Sequence, residues 1–180
     1  MRASSDDLQG RPASETQRGS FGQVVTTTLE GQLADIGYTP DAFAYLAMLH
    51  LHFDHVGNAN DYAGATWIVQ KADRDAIDFT NTERTAAYGA LEHSETVIID
   101  GDHDVFGDGK VVIKSTPVHT PGHQSLFVSL ADTGPIVLSG DLYHYQAERR
   151  LNKMPPREVG PDATAVSRAA LEAFMAETKA

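Results

Sequence analysis

The chain has 180 residues, with 25 acidic against 14 basic side chains and a formal net charge of −11: one domain's length, and the wrong sign of charge for a polyanionic partner such as nucleic acid. It contains no cysteine, so disulfides and thiolate ligands are excluded and any metal must be held by histidine and carboxylate. No apolar run approaches the roughly 18 residues that span a bilayer, and the N-terminus has no signal-like apolar segment, so a cytoplasmic protein without a membrane partner is expected.

Residues 1–20 are rich in Ser, Asp, Gln and Arg and show no apolar period; they read as a disordered leader ahead of a single domain over residues 21–180. Residues 21–28 have the β-branched bias of a strand. Leu29, Leu33 and Ile36 then share a helical face, with Gly37 placed to end the helix. After the turn at Thr39-Pro40-Asp41, the almost wholly apolar residues 43–49 predict a strand buried on both faces. Further strands are predicted at residues 66–70, 96–99, 110–116, 125–130 and 135–139, separated by turns such as Gly107-Asp108-Gly109. Residues 71–79 and 84–93 are predicted to be helical. From Asp162 onward, Val166, Ala170 and Phe174, flanked by Leu171 and Met175, give the apolar stripe of a C-terminal helix. Strands mixed with helices in this order predict an α/β sandwich.

The chemistry concentrates at the ends of predicted strands. His50-Leu51-His52-Phe53-Asp54-His55 packs three imidazoles and a carboxylate into one short segment, the donor types that zinc and similar borderline cations prefer. Such a pattern arises by chance in on the order of one chain in a thousand of this length. Two further clusters follow apolar strands: Thr116-Pro117-Val118-His119-Thr120-Pro121-Gly122-His123, and Ser139-Gly140-Asp141. Each is weak alone, since a lone His119 is more often structural and Gly-Asp after a strand is usually a turn. Together with the first cluster they read as the rest of one site, carried by loops on a rigid frame.

The ordered set His52-Phe53-Asp54-His55-Val56-Gly57-Asn58, His119-Thr120-Pro121-Gly122-His123-Gln124-Ser125 and Leu138-Ser139-Gly140-Asp141-Leu142-Tyr143 resembles the metallo-β-lactamase fold superfamily. The N-acyl-homoserine-lactonase-like branch is the most similar. The resemblance covers roughly residues 29–180 and implies an αββα sandwich. It also implies two divalent metal ions, zinc by donor type: His50, His52 and His119 on one, Asp54 and His55 on the other, and Asp141 bridging them. His123 matches a position outside the ligand set, where it would orient its neighbours. Two such cations can share a hydroxide and polarise the carbonyl it attacks, while Asp54 delivers the proton to the departing oxygen. The implied activity is opening of an ester-like bond in a small substrate, a lactone first.

The pattern departs from the branch in three places. Lactonases of the branch carry Tyr where this chain has His144, so Tyr143 or Tyr145 is left as the candidate for contacting the substrate carbonyl. The family's late histidine of the second metal site has no counterpart after the last predicted helix, and its early strands have little sequence to form from. A chain truncated at both ends is therefore expected, and a metal-binding remnant without activity stays open as an alternative, as does glyoxalase II-like thioester hydrolysis. Leu51 counts against the latter, because that branch commonly has a third histidine there. The oligomeric state is not indicated.

Overall fold

The structure, a computed structural model, describes residues 27–155 and 160–180. The expected leader, and all but the last two residues of the strand expected at 21–28, lie outside the described residues. The fold is α/β, with one partly parallel sheet and one antiparallel sheet. By its internal contacts the chain divides into two units: the residues up to Ile68 together with Ile77–Val97, and Val69–Ala76 together with Ile98–Ala180.

In the first unit, α1 (Leu29–Asp35) starts at Thr28, whose hydroxyl accepts the Gly31 N–H at 3.1 Å. It stops where Gly37 takes a φ of 83°. Leu33 is buried as expected, whereas Ile36, past the last helical turn, is 67% exposed. β1 is only Tyr45–Ala47, and its residues are half-buried or exposed rather than buried on both faces. Among the described residues it is the outer strand of the sheet β1-β2-β3, pairing in parallel with β2 (Thr66–Gln70). The doubly buried strand is β2 instead, where Trp67, Ile68, Val69 and Gln70 are all buried. Such a strand reads as continuous apolar sequence, and Gln70 is tolerated because its amide exchanges two hydrogen bonds with the backbone of Gly101. β3 (Thr96–Ile99) falls as predicted.

Two expected helices are cut short. α2 covers only Lys71–Asp75, and residues 84–93 give a single 3-10 turn at Gly89–His93. Beyond α2, Asp78 Oδ1 accepts from both the N–H and the hydroxyl of Thr80, so the backbone there follows a turn rather than extending the helix. Asn81 Oδ1 caps the Arg84 N–H, and the bonds that follow, Tyr88 N–H on Thr85 O and Leu91 N–H on Tyr88 O, close at the shorter 3-10 spacing.

The second unit is built on the antiparallel sheet β4-β5-β6-β7: β4 (His103–Asp104), β5 (Val111–Ser115), β6 (Gln124–Leu130) and β7 (Gly134–Leu138). Ile113 faces Leu126, which in turn faces Leu138, so the three long strands share one register. After β7 come a 3-10 turn at Gly140–Leu142, then α3 (Gln146–Leu151) and α4 (Pro161–Thr178). The apolar cluster here is Val118, Leu142, Leu171 and Met175, with Val137, Tyr143 and Phe174 against it. On α4 the buried face is Thr164, Ser167, Arg168, Leu171 and Met175, a helical period of three and four. Val166, expected on that face, is 70% exposed, and Ala170 is exposed too. Polar residues displace them because each has a partner: Thr164 bonds Gly160 O, Ser167 bonds Pro117 O, and Arg168 bonds two backbone carbonyls.

Candidate metal centre

In the first unit the chain leaves β1 and buries Met48 and then His50, which is 1% exposed. A turn closed by the His55 N–H on His52 O (2.9 Å) folds the following residues back. This brings the imidazoles together, with ring centroids 4.6 Å apart for His50 and His52 and 4.0 Å for His50 and His55. His50 Nε2 and His52 Nδ1 lie 3.0 Å apart. Asp54 Oδ2 is 3.7 Å from His55 Nε2, on a side chain that is 43% exposed. The segment is tied down at its far end, where buried Asn58 donates its amide to Glu30 of α1 at 2.7 Å. The donor set fits a divalent cation: with metal–nitrogen bonds of about 2.0–2.1 Å, neighbouring ligands stand roughly 3 Å apart. The His50–His52 pair has that spacing.

In the second unit the loop between β5 and β6 is closed by the Thr116 N–H on His123 O (3.1 Å) and the His123 N–H on Thr120 O (3.2 Å). His119 sits within it at a φ of 54°, a left-handed conformation that costs a non-glycine residue about 1–2 kcal/mol. Such a strained position persists only where its surroundings enforce it. Asp73 of α2, 5% exposed, does so: its Oδ1 accepts the Gly122 N–H at 2.9 Å and its Oδ2 the Thr120 hydroxyl at 3.4 Å. The approach is so close that a Cβ on Gly122 would lie 2.4 Å from Asp73 Cγ and 2.6 Å from its Cβ and backbone N. Sequence reasoning missed Asp73, since nothing local joins two residues 49 positions apart.

His123 is fully buried and links the neighbouring loops. The Asp141 N–H donates to its Nε2 at 3.1 Å, so its proton sits on Nδ1, which donates to Thr116 O at 3.0 Å. Thr116 Oγ1 is 3.0 Å from Ser125 Oγ, whose hydroxyl donates to Ser139 O at 3.1 Å. The ends of β5 and β7 and the start of β6 are thereby joined by side chains, and Asp141 is placed by its backbone. Asp141 Oδ2 is 3.4 Å from His119 Nε2 and 3.9 Å from His144 Nε2. One ligand atom from each of the three residues falls within 4.8 Å of the others.

Tyr143 turns toward α4. Its hydroxyl donates to Glu172 Oε1 at 3.0 Å, and the Arg168 guanidinium lies 4.4 Å from its ring centroid. Burial, aided by the Glu172 carboxylate that accepts its proton, pushes its pKa up to about 12, so it is a neutral phenol at ordinary pH. Tyr145 is 73% exposed. Thus the first unit groups His50, His52 and His55 with Asp54 at the side, and the second unit groups His119 with Asp141.

The family model described as Metallo-beta-lactamase superfamily matches residues 25–178. An N-acyl homoserine lactonase of Bacillus sp is 35% identical over 123 residues, which is 68% of this chain and 47% of that protein. The N-acyl homoserine lactonase AttM of Rhizobium radiobacter is 30% identical over 118 residues, 61% of this chain and 45% of that protein. The chain therefore spans less than half the length of these curated relatives. A solved N-acyl homoserine lactone hydrolase, with the product N-hexanoyl-L-homoserine bound at its catalytic metal centre, matches with a TM-score of 0.71 at 29% identity, over 84% of this chain and 59% of that one. The dizinc lactonase AidC shares the fold, with a TM-score of 0.63 at 19% identity over 92% of this chain and 64% of that one.

Proposed function

The chain belongs to the metallo-beta-lactamase superfamily, and from that membership we propose that it is a dinuclear metal-dependent hydrolase opening an ester-like bond in a small molecule, an N-acyl homoserine lactone first. His50, His52 and His119 would hold one cation, Asp54 and His55 the other, and Asp141 would serve both. The observation that carries this is the 3.0 Å convergence of His50 Nε2 on His52 Nδ1, with His50 buried, in a chain with no thiolate to offer. When bound, two such cations supply Lewis acidity and a water acidified toward neutral pH.

The chain's own residues supply the rest. Opening a lactone adds water across the ring C–O bond: hydroxyl goes to the acyl carbon, and a proton must reach the ring oxygen as it leaves. Asp54, partly exposed beside His55, carries that proton on its carboxylate. The side-chain links through His123, Thr116 and Ser125 hold the Asp141 backbone and so fix the point from which its carboxylate reaches the site. Tyr143 can serve as a donor to the substrate carbonyl only by leaving Glu172.

The test is to incubate the zinc-loaded chain with N-hexanoyl homoserine lactone and follow the ring-opened acid by mass. Chelator-sensitive ring opening is expected. A fully zinc-loaded chain that leaves lactones untouched and cleaves thioesters would refute the substrate assignment.

A further inference from the structure

We propose that His144 is a metal ligand of this chain, binding through Nε2 the cation that Asp141 binds, with Glu148 setting the orientation and proton position of its ring. The assignment deepens the dinuclear reading and rests on it.

Placement comes first. Asp141 lies in the 3-10 turn Gly140–Leu142, and His144 follows two residues past its end, after Tyr143 in extended conformation (φ −138°, ψ 110°). His144 Nε2 is 3.9 Å from Asp141 Oδ2, and His119 Nε2 is 3.4 Å from the same oxygen, with the two imidazole rings nearly perpendicular at 76°. Donors sharing a zinc-like cation at about 2.0–2.2 Å stand roughly 3–3.5 Å apart, so His144 needs to close by only about half an ångström.

The far side of the ring supplies the second argument. A ligating imidazole must present a bare nitrogen to the cation and carry its proton on the other, and a carboxylate behind that other nitrogen is the usual means of fixing both. Here Glu148 Oε2 stands 3.5 Å from His144 Nδ1 and accepts the His144 backbone N–H at 3.0 Å. Glu148 itself is held. Its side chain is 13% exposed and pairs at 3.2 Å with Arg168, whose side chain is 4% exposed. Arg168 in turn donates to Leu142 O at 2.9 Å and Lys153 O at 2.8 Å. Burying a guanidinium and a carboxylate is costly unless both are fully engaged. This pair therefore reads as a constructed support running from α4 through α3 to the ring, whereas a surface histidine needs no such frame.

The simplest competing role is that of an imidazolium paired with Asp141 and Glu148, with no cation involved. The two differ in what they do to metal. Metal-free chain is titrated with Co2+ and followed by proton NMR in water, where each cobalt-bound imidazole with a protonated outer nitrogen gives its own far-shifted exchangeable resonance. His144→Ala and His144→Gln should each lose one such resonance and weaken the cation that Asp141 and His119 share by about 100-fold or more. Glu148→Gln should keep the resonance and weaken the same cation by about 10–100-fold, as removal of a ligand's carboxylate support does. Using two replacements at 144, together with circular dichroism of the metal-free forms, separates loss of a ligand from loss of fold. If both His144 variants keep every shifted resonance and bind both cations as the parent does, the assignment is wrong while the two-metal reading stands. A parent chain that takes up no cobalt overturns both.

Discussion

Replacing Gly122 with alanine tests whether the loop bearing His119 is held by Asp73. The new Cβ would sit 2.4 Å from Asp73 Cγ and 2.6 Å from its Cβ and backbone N, where ordinary contact begins at 3.4 Å. Since one of these atoms is backbone, a side-chain rotation cannot relieve the clash, and the turn must retreat from α2 by about 1 Å. Gly122 does not occupy the left-handed region, so alanine suits its backbone and the whole penalty comes from the approach. That retreat breaks the 2.9 Å bond from the Gly122 N–H to the Asp73 carboxylate, worth about 1.5–3 kcal/mol for a charged acceptor. Overpacking adds about 1–3 kcal/mol. The combined loss of roughly 2.5–6 kcal/mol should lower the melting temperature by about 5–20 °C in a chain of this size. His119 moves with the turn, so metal should also bind more weakly. The assay is thermal unfolding by circular dichroism with and without zinc, with Gly64→Ala as control, because nothing lies within 4 Å of a Cβ there. A Gly122→Ala melting temperature within about 2 °C of the parent would refute the clamp.

Asp73→Ala should cost about 1.5–3 kcal/mol, because the Gly122 N–H is left buried without its acceptor, and Asp73→Asn should cost less; denaturant midpoints decide. His123→Ala should destabilise by about 2–4 kcal/mol through a buried cavity and the lost acceptor for the Asp141 N–H, yet retain both metals at saturating zinc, whereas His119→Ala should not; metal analysis after gel filtration separates them. Glu172 is held below its ordinary pKa of 4.5, chiefly by its hydrogen bond from Arg149. A depressed carboxylate contributes stability above its unfolded-state pKa and loses that contribution as pH falls through the folded value. The melting difference between parent and Glu172→Gln should therefore be largest near pH 7 and shrink below pH 4.5, and it should stay under about 1 kcal/mol, because the pair is 53% and 38% exposed. A difference that grows toward acid would contradict this.

What could be seen in the sequence was what is short-range. β2 and β3 were legible to the residue because an apolar run bounded by turn formers leaves little choice. The convergence of the His50, His52 and His55 rings was legible because the three residues lie within six positions of one another. Apolarity at residues 43–49 misled on burial: among the described residues Tyr45 and Ala47 are exposed and Leu46 is half-buried. The face of α4 was misjudged for a different reason. Which polar residue is buried depends on whether a partner waits for it, and the partners of Arg168 are carbonyls and a carboxylate 15, 26 and 20 residues away. The same holds for Asp73 and for Glu148 behind His144. Side chains that support a site across the fold carry no local signature, whereas the donors they support do.

If this chain holds two cations on the named histidines and aspartates, the amount of metal per chain reports it. After exhaustive dialysis of zinc-saturated protein, elemental analysis should give about two equivalents, falling in His50→Ala and His119→Ala and most of all in Asp141→Ala, which touches both ions. A parent chain that retains no zinc, or an Asp141→Ala variant that retains as much as the parent, would contradict the account.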